Sequence, residues 1–295
     1  MEKVILSRWF YNSRSFCVTI GLIQVIIGLI ISLFAPLSFA DYWDNYKFAG
    51  ISGFTLGLML CSVYYSLRTL DISRVYSLLS SYPVSTALLA SMILNEKLEL
   101  LDWVAIILVA VGAGIATRAG NSNQSRLNHK QLALCLLVIL AGVFYGSGEV
   151  AYKHALNMNI DKVDSIFWQL FVVKTLSVGL TLILLSVIWS PVTVIRDIKI
   201  SLNSLESKVL VLFSQIVVAP FSVFLQVAAI NLGPVSLVTA LMASRPLFIL
   251  GLSSFLSMPA IGILSEPLGG KMILSKLFAI LMILSGVIIM TIGNV

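Results

Sequence analysis

Three charged side chains lie well inside apolar runs: Arg245 in "MASRPLFIL", Lys174 in "LFVVKTLSV" and Glu149 in "YGSGEVAYK". A charge at the bilayer centre costs roughly 2.5–3.5 kcal/mol on insertion scales, so each such group needs a partner or a cavity. Arg245 reads two ways. It is a clamp on carbonyls or a salt-bridge partner at a kink made by Pro246, or it is an anion site whose guanidinium grips a carboxylate or phosphate in a two-pronged fit. Lys174 is either a second cation for the same anion or the ion partner of Glu149. Glu149 shares a helical face with Gly142, Tyr145 and Tyr152, and either pairs with Lys153 or titrates as a proton-coupling group. Gln215, Ser222 and Gln226 form a polar stripe, suited to interhelical hydrogen bonds or to lining a pathway. Catalytic constellations are missing. Neither His129 nor His154 has metal-ligand or nucleophile company, and no phosphate loop or zinc motif occurs, so no catalytic residue, metal site, cofactor or enzyme activity is expected.

These residues need helices crossing a membrane to position them. The 295-residue chain is 59% hydrophobic and 11% charged, against about 25% charged in an ordinary soluble domain. Lipid offers no partner to an unpaired backbone amide, so helices of about 20 apolar residues are the expected element. The net charge of +6 is scattered over short connections, which fits a membrane orientation signal better than nucleic-acid binding. Cys17, Cys61 and Cys135 all sit in apolar runs and read as packing residues.

Apolar runs bounded by charge and turn residues predict nine spans: Phe16 to Phe34, Phe48 to Leu67, Val75 to Leu94, Leu100 to Thr117, Leu132 to Tyr152, Ser165 to Trp189, Val209 to Ile230, Val235 to about Leu256, and Lys276 to Ile292. The 19-residue first run exceeds the h-region of about 7–15 residues in a signal peptide, so it is expected to stay as a span. A polar linker, 118–131, separates residues 1–117 from 132–295.

The two parts are related. "DISRVYSLLSSYPVSTALLASMILNEKL" lies over "GPVSLVTALMASRPLFILGLSSFLSMPAIGILSEPL" with Ser73 on Ser236, Val75 on Val238, Ser81 on Ser244 and Pro83 on Pro246. Tyr82 then stands where the second copy has Arg245. Both copies reach a glutamate, Glu96 or Glu266, expected to act as a cap or surface anchor, and both end in a small-residue helix. Paired repeats in a polytopic chain are the mark of a transporter with its site at the repeat interface.

On these motifs, with "LAGVFYGSGEVAYKHAL" opening the second copy, the sequence resembles the EamA-like family of the drug/metabolite transporter superfamily. The resemblance implies an all-α polytopic membrane protein of two five-helix repeats that moves small metabolites such as amino acids, often outward. This chain shows four spans before the linker and five after, so the first helix of the first repeat is missing. Either nine spans are native, or the start codon is placed too late and about one helix is lost.

The face bearing the N-terminus collects thirteen of the nineteen Lys and Arg residues and the opposite face four, which predicts a cytoplasmic N-terminus in the plasma membrane. The family pattern, with both ends cytoplasmic, puts the linker on the other side. The functional expectation is a secondary transporter, an exporter by preference, working by alternating access. Arg245 and Lys174 would bind an anionic or zwitterionic metabolite, Tyr82, Tyr145 and Gln215 would shape the pocket, and Glu149 would couple protons. The Gly53/Gly57 and Gly142/Gly146 pairs allow close contact, within the chain or between two copies in a homodimer. The alternatives are a membrane-embedded enzyme or lipid-handling protein, or an inactive truncated transporter.

Overall fold

Apolar side chains recur at helical spacing on the outside of this protein, the reverse of a soluble helix. Along Ser13–Phe34, Leu22, Ile26, Leu29, Ile30 and Leu33 are exposed while Phe16, Ile20, Gln24 and Gly28 are buried. The exposed stripe is apolar because its solvent is lipid, and the buried one accepts small and polar residues because it meets other helices.

A computed structural model of the chain describes residues 10, 12–70, 72–118, 128–158, 163–188, 191–201, 205–244, 248 and 270–293. The helices are α1 (Ser13–Phe34), α2 (Phe39–Ser66), α3 (Ile72–Leu79), α4 (Tyr82–Ile93), α5 (Leu100–Arg118), α6 (His129–Asn157), α7 (Val163–Val187), α8 (Pro191–Ser201), α9 (Leu205–Leu212), α10 (Ala219–Leu232), α11 (Val235–Met242) and α12 (Gly270–Gly293). A π-helical segment, Phe213–Val218, joins α9 to α10. No strand occurs among the described residues. Five helical stretches are long and apolar enough to span a bilayer: Ser13–Phe34, Phe39–Ser66, His129–Asn157, Ile166–Val187 and Lys208–Leu232. Tyr82–Ile93, Leu100–Ile115 and Leu277–Ile289 are shorter apolar helices.

The helices form two compact units. The first comprises Met1–Thr69 and Ser147–Gly233, the second Leu70–Gly146 and Pro234–Val295. In the first, α7 packs along both α1 and α2. At the α1–α7 crossing, a Cβ on Gly179 would stand 2.7 Å from the Gly21 carbonyl oxygen and one on Gly21 would stand 2.7 Å from that of Gly179, so the two backbones touch. In the second, α5 packs along α12, two helices that carry small residues at their contact. A Cβ on Gly286 would lie 2.8 Å from the Ala105 carbonyl oxygen, and Ala113, Ala279 and Ile283 fill the seam.

The expected span Val75 to Leu94 is two helices, because the proline at 83 has no amide to donate and its ring would strike the carbonyl one turn earlier. The ladder of α3 ends with Ser80 N–H on the Tyr76 carbonyl at 2.9 Å, and the Ser81 hydroxyl turns back onto Leu78 O at 2.8 Å. Just ahead of Pro246 the second copy repeats this: Ala243 N–H donates to Thr239 O at 3.1 Å and the Ser244 hydroxyl to Leu241 O at 2.6 Å. Both breaks fall in the register that the sequence alignment sets. The rest of the expected span to Leu256 lies outside the described residues apart from Phe248.

Two other boundaries differ from expectation. Helix α2 begins at Phe39, well before the apolar run at Phe48, with a kink at Tyr42 (φ −129°, ψ 25°). Its polar first turns carry Trp43 and Tyr46, residues that favour the membrane interface. Pro220 explains the π segment: it cannot donate to the residue one turn back, and Ala219 N–H closes a wider turn on Ser214 O.

Candidate functional site

In the first unit, glycines bring α2, α6 and α7 close enough for side chains to meet in a buried interior. A Cβ on Gly53 would collide with the Lys174 carbonyl and with Ser177, and one on Gly148 with the Thr55 hydroxyl. Between these contacts Lys174 Nζ donates to both carboxylate oxygens of Glu149, at 2.9 and 3.0 Å, and both side chains are 0% exposed. Lys174 lies near the middle of α7 and its ammonium sits 4.5 Å from the centre of the Tyr152 ring. The ring face is electron-rich and adds to the hold on the cation. Two buried hydroxyls, Ser52 Oγ and Tyr152 Oη, have no hydrogen-bond partner among the described residues.

Of the two partners open to Glu149, the observed one is Lys174. Lys153 instead donates to the carbonyls of Ile230 and Asn231 at 2.7 and 3.3 Å. A desolvated pair of this kind gives little net stability, because the cost of leaving water offsets the attraction, but removing one partner strands the other charge. It can serve any chemistry that exchanges one partner for another ion or a proton.

Tyr82 and Tyr145 come together in the second unit. Their rings are 5.0 Å apart, both are buried, and the Tyr82 hydroxyl donates to the Thr239 carbonyl at 3.1 Å. Gly146, one turn from Gly142 on α6, makes room: a Cβ there would collide with the Thr86 hydroxyl. The Gly142 Cβ position meets Tyr82 at an ordinary 3.4 Å. We expect Tyr82→Phe to keep the ring contact and cost about 1 kcal/mol through the lost hydrogen bond. Amide hydrogen exchange along α11 should rise modestly in Tyr82→Phe and much more in Tyr82→Ala.

Glu96 takes the capping role expected of it, at a helix distant in sequence. Its carboxylate accepts from Val235 N–H at 2.8 Å, Ser236 N–H at 3.4 Å and the Ser236 hydroxyl at 2.6 Å, meeting the free donors that open α11. Asn95, at φ 53°, turns the chain after α4 so that Glu96 follows the bend. Replacing Glu96 with alanine should cost about 1–2 kcal/mol, the usual worth of a side-chain cap. Faster exchange at the Val235 and Ser236 amides, with α12 unchanged, is the expected reading.

Gln215 is buried in the π segment, where its Nε2 is 3.4 Å from Ser214 Oγ. Arg245 and Glu266 lie outside the described residues. Sequence reasoning placed Tyr152 on the Glu149 face but gave it no role, and it missed Thr239. A ring three residues from a buried carboxylate was the available signal for Tyr152; a backbone acceptor such as the Thr239 carbonyl leaves none.

A solved crystal structure of another protein superposes with a TM-score of 0.66 over 98% of this chain and 91% of that one, at 13% identity, a likeness of fold alone. No curated protein matches the chain. Residues 4–118, which hold α1 to α5 and two of the five helical stretches long and apolar enough to cross a bilayer, match the model of the EamA-like transporter family.

Proposed function

We propose that this protein is a secondary transporter that exports a small anionic or zwitterionic metabolite across the plasma membrane by alternating access of its two repeats, residues 1–117 and 132–295. The observation that carries the reading is the Glu149–Lys174 pair, fully buried within two apolar spans of a chain related to transporters. Charge kept in such a place is expensive, and transporters use it for binding or coupling. Lys174 and Arg245 bind the acidic group of the metabolite, Tyr82, Tyr145 and Gln215 shape its pocket, and Glu149 carries the coupling proton. A proton on Glu149 releases Lys174 for the substrate, so the pair itself links the two events. The surplus of Lys and Arg on the N-terminal face supports a cytoplasmic N-terminus.

Uptake of a radiolabelled amino-acid mixture into inverted vesicles, with and without an imposed pH gradient, tests this. The wild type should accumulate label in response to the gradient. Glu149→Gln should lose that response, and Arg245→Ala should lose uptake. Equal transport by wild type and Arg245→Ala removes Arg245 from the site.

A further inference from the structure

We infer that helix α8, with the helix ends around it, is a surface that binds the headgroups of anionic phospholipids. The helix joins two membrane spans: α7 ends at Val187, α8 runs from Pro191 to Ser201, and the next apolar stretch starts at Lys208. Such short connections hold α8 at the bilayer surface. Its two faces are distinct. Val194, Asp197 and Ser201 are buried, and the helix packs on α1. Ile195, Arg196, Lys199 and Ile200 are exposed on the opposite face, with the two isoleucines 60% and 66% accessible. Isoleucines beside cations on one helical face suit the boundary between acyl chains and headgroups, where the apolar groups enter and the cations stay with phosphate.

The surroundings add charge of the same sign. Helices α1 and α7 are antiparallel, since Gly21 meets Gly179 and Gly28 meets Leu176, so the start of α1 lies at the end of α7. The end of α2 is there too, as Arg68 Nη2 donates to the Phe10 carbonyl at 2.8 Å and Tyr64 packs against Phe16. Arg14, Arg68, Arg196, Lys199 and Lys208 therefore gather at one end of the first unit. Among the described side chains at this end the carboxylate is Asp197, and it is buried. The other end of the unit carries Asp41 and Asp44 with Lys47, Lys153 and His154, a more even balance of sign. Each cation near a charged leaflet favours contact by roughly fivefold, so this end prefers an anionic leaflet over a neutral one.

The test uses the full chain in nanodiscs of phosphatidylcholine alone or with one quarter phosphatidylglycerol. A fluorophore on Ile200→Cys is quenched in turn by lipid spin-labelled near the headgroup and by aqueous iodide. Lipid quenching should dominate, and should rise several-fold with phosphatidylglycerol. In Arg196→Gln/Lys199→Gln it should persist but lose its dependence on phosphatidylglycerol. Hydrogen exchange of α8 in the unlabelled protein should slow with phosphatidylglycerol in step. Quenching by iodide and not by lipid, or the same lipid quenching in both compositions, overturns the inference. Neither result bears on transport.

Discussion

Replacing Lys174 with methionine lowers the apparent Tm of the purified protein by about 10 °C, and adding Glu149→Gln to that variant restores most of the loss. The single substitution leaves a carboxylate in a region where both side chains are 0% exposed. Breaking a buried pair in this way costs about 3–5 kcal/mol, whereas replacing both members with neutral groups of similar size is close to neutral. At roughly 2–4 °C for each kcal/mol in a chain of this size class, a shift of about 10 °C follows. Tyr152 sharpens the expectation, because its ring favours an ammonium and gives methionine only a packing partner. Thermal unfolding in one detergent, read for wild type, Lys174→Met, Glu149→Gln and the double variant, completes a double-mutant cycle. Additive losses would mean that the two charges do not depend on each other.

Substituting alanine for Gly179 is expected to destabilise the protein by about 2 kcal/mol, although alanine is the better helix former by about 1 kcal/mol. The new methyl would lie 2.7 Å from the Gly21 carbonyl oxygen, 2.7 Å from Val25 Cγ2 and 2.9 Å from the Val25 amide nitrogen. Two of those three atoms are backbone, so relief requires α1 and α7 to separate. Gly50→Ala is the control. It lies on α2, and a Cβ there meets Val173 at an ordinary 4.0 Å, so helix propensity decides and stability should hold or rise. Thermal unfolding of both variants should give shifts of opposite sign.

Much of this architecture is legible in the amino-acid order, for identifiable reasons. The matched prolines at 83 and 246 carry the alignment of the two copies, and the helix breaks at Ser81 and Ser244 follow from proline's missing amide. Glu96 was readable as a cap because glutamate at a loop suits a helix start, but its target in α11 was not, since partners 139 and 140 residues away leave no local spacing. Glu149 illustrates the same limit. Lys153 is one turn away on the same helix and is the partner that spacing suggests, yet Lys174 arrives from α7 because Gly53 and Gly148 let the helices close up. The early start of α2 was hidden by charged residues among its first turns, which a hydropathy reading discards although the interface accepts them.

The carboxylate of Glu96 also bears on biosynthesis. The ribosome makes the acceptor at position 96 long before it makes the donors at Val235 and Ser236. When the start of α11 emerges, a docking point for its bare amides is already in place, so the order of synthesis favours seating the later helix on the earlier one. A circular permutant that begins in the linker would reverse that order, and would have to complete the first turn of α11 before its acceptor existed.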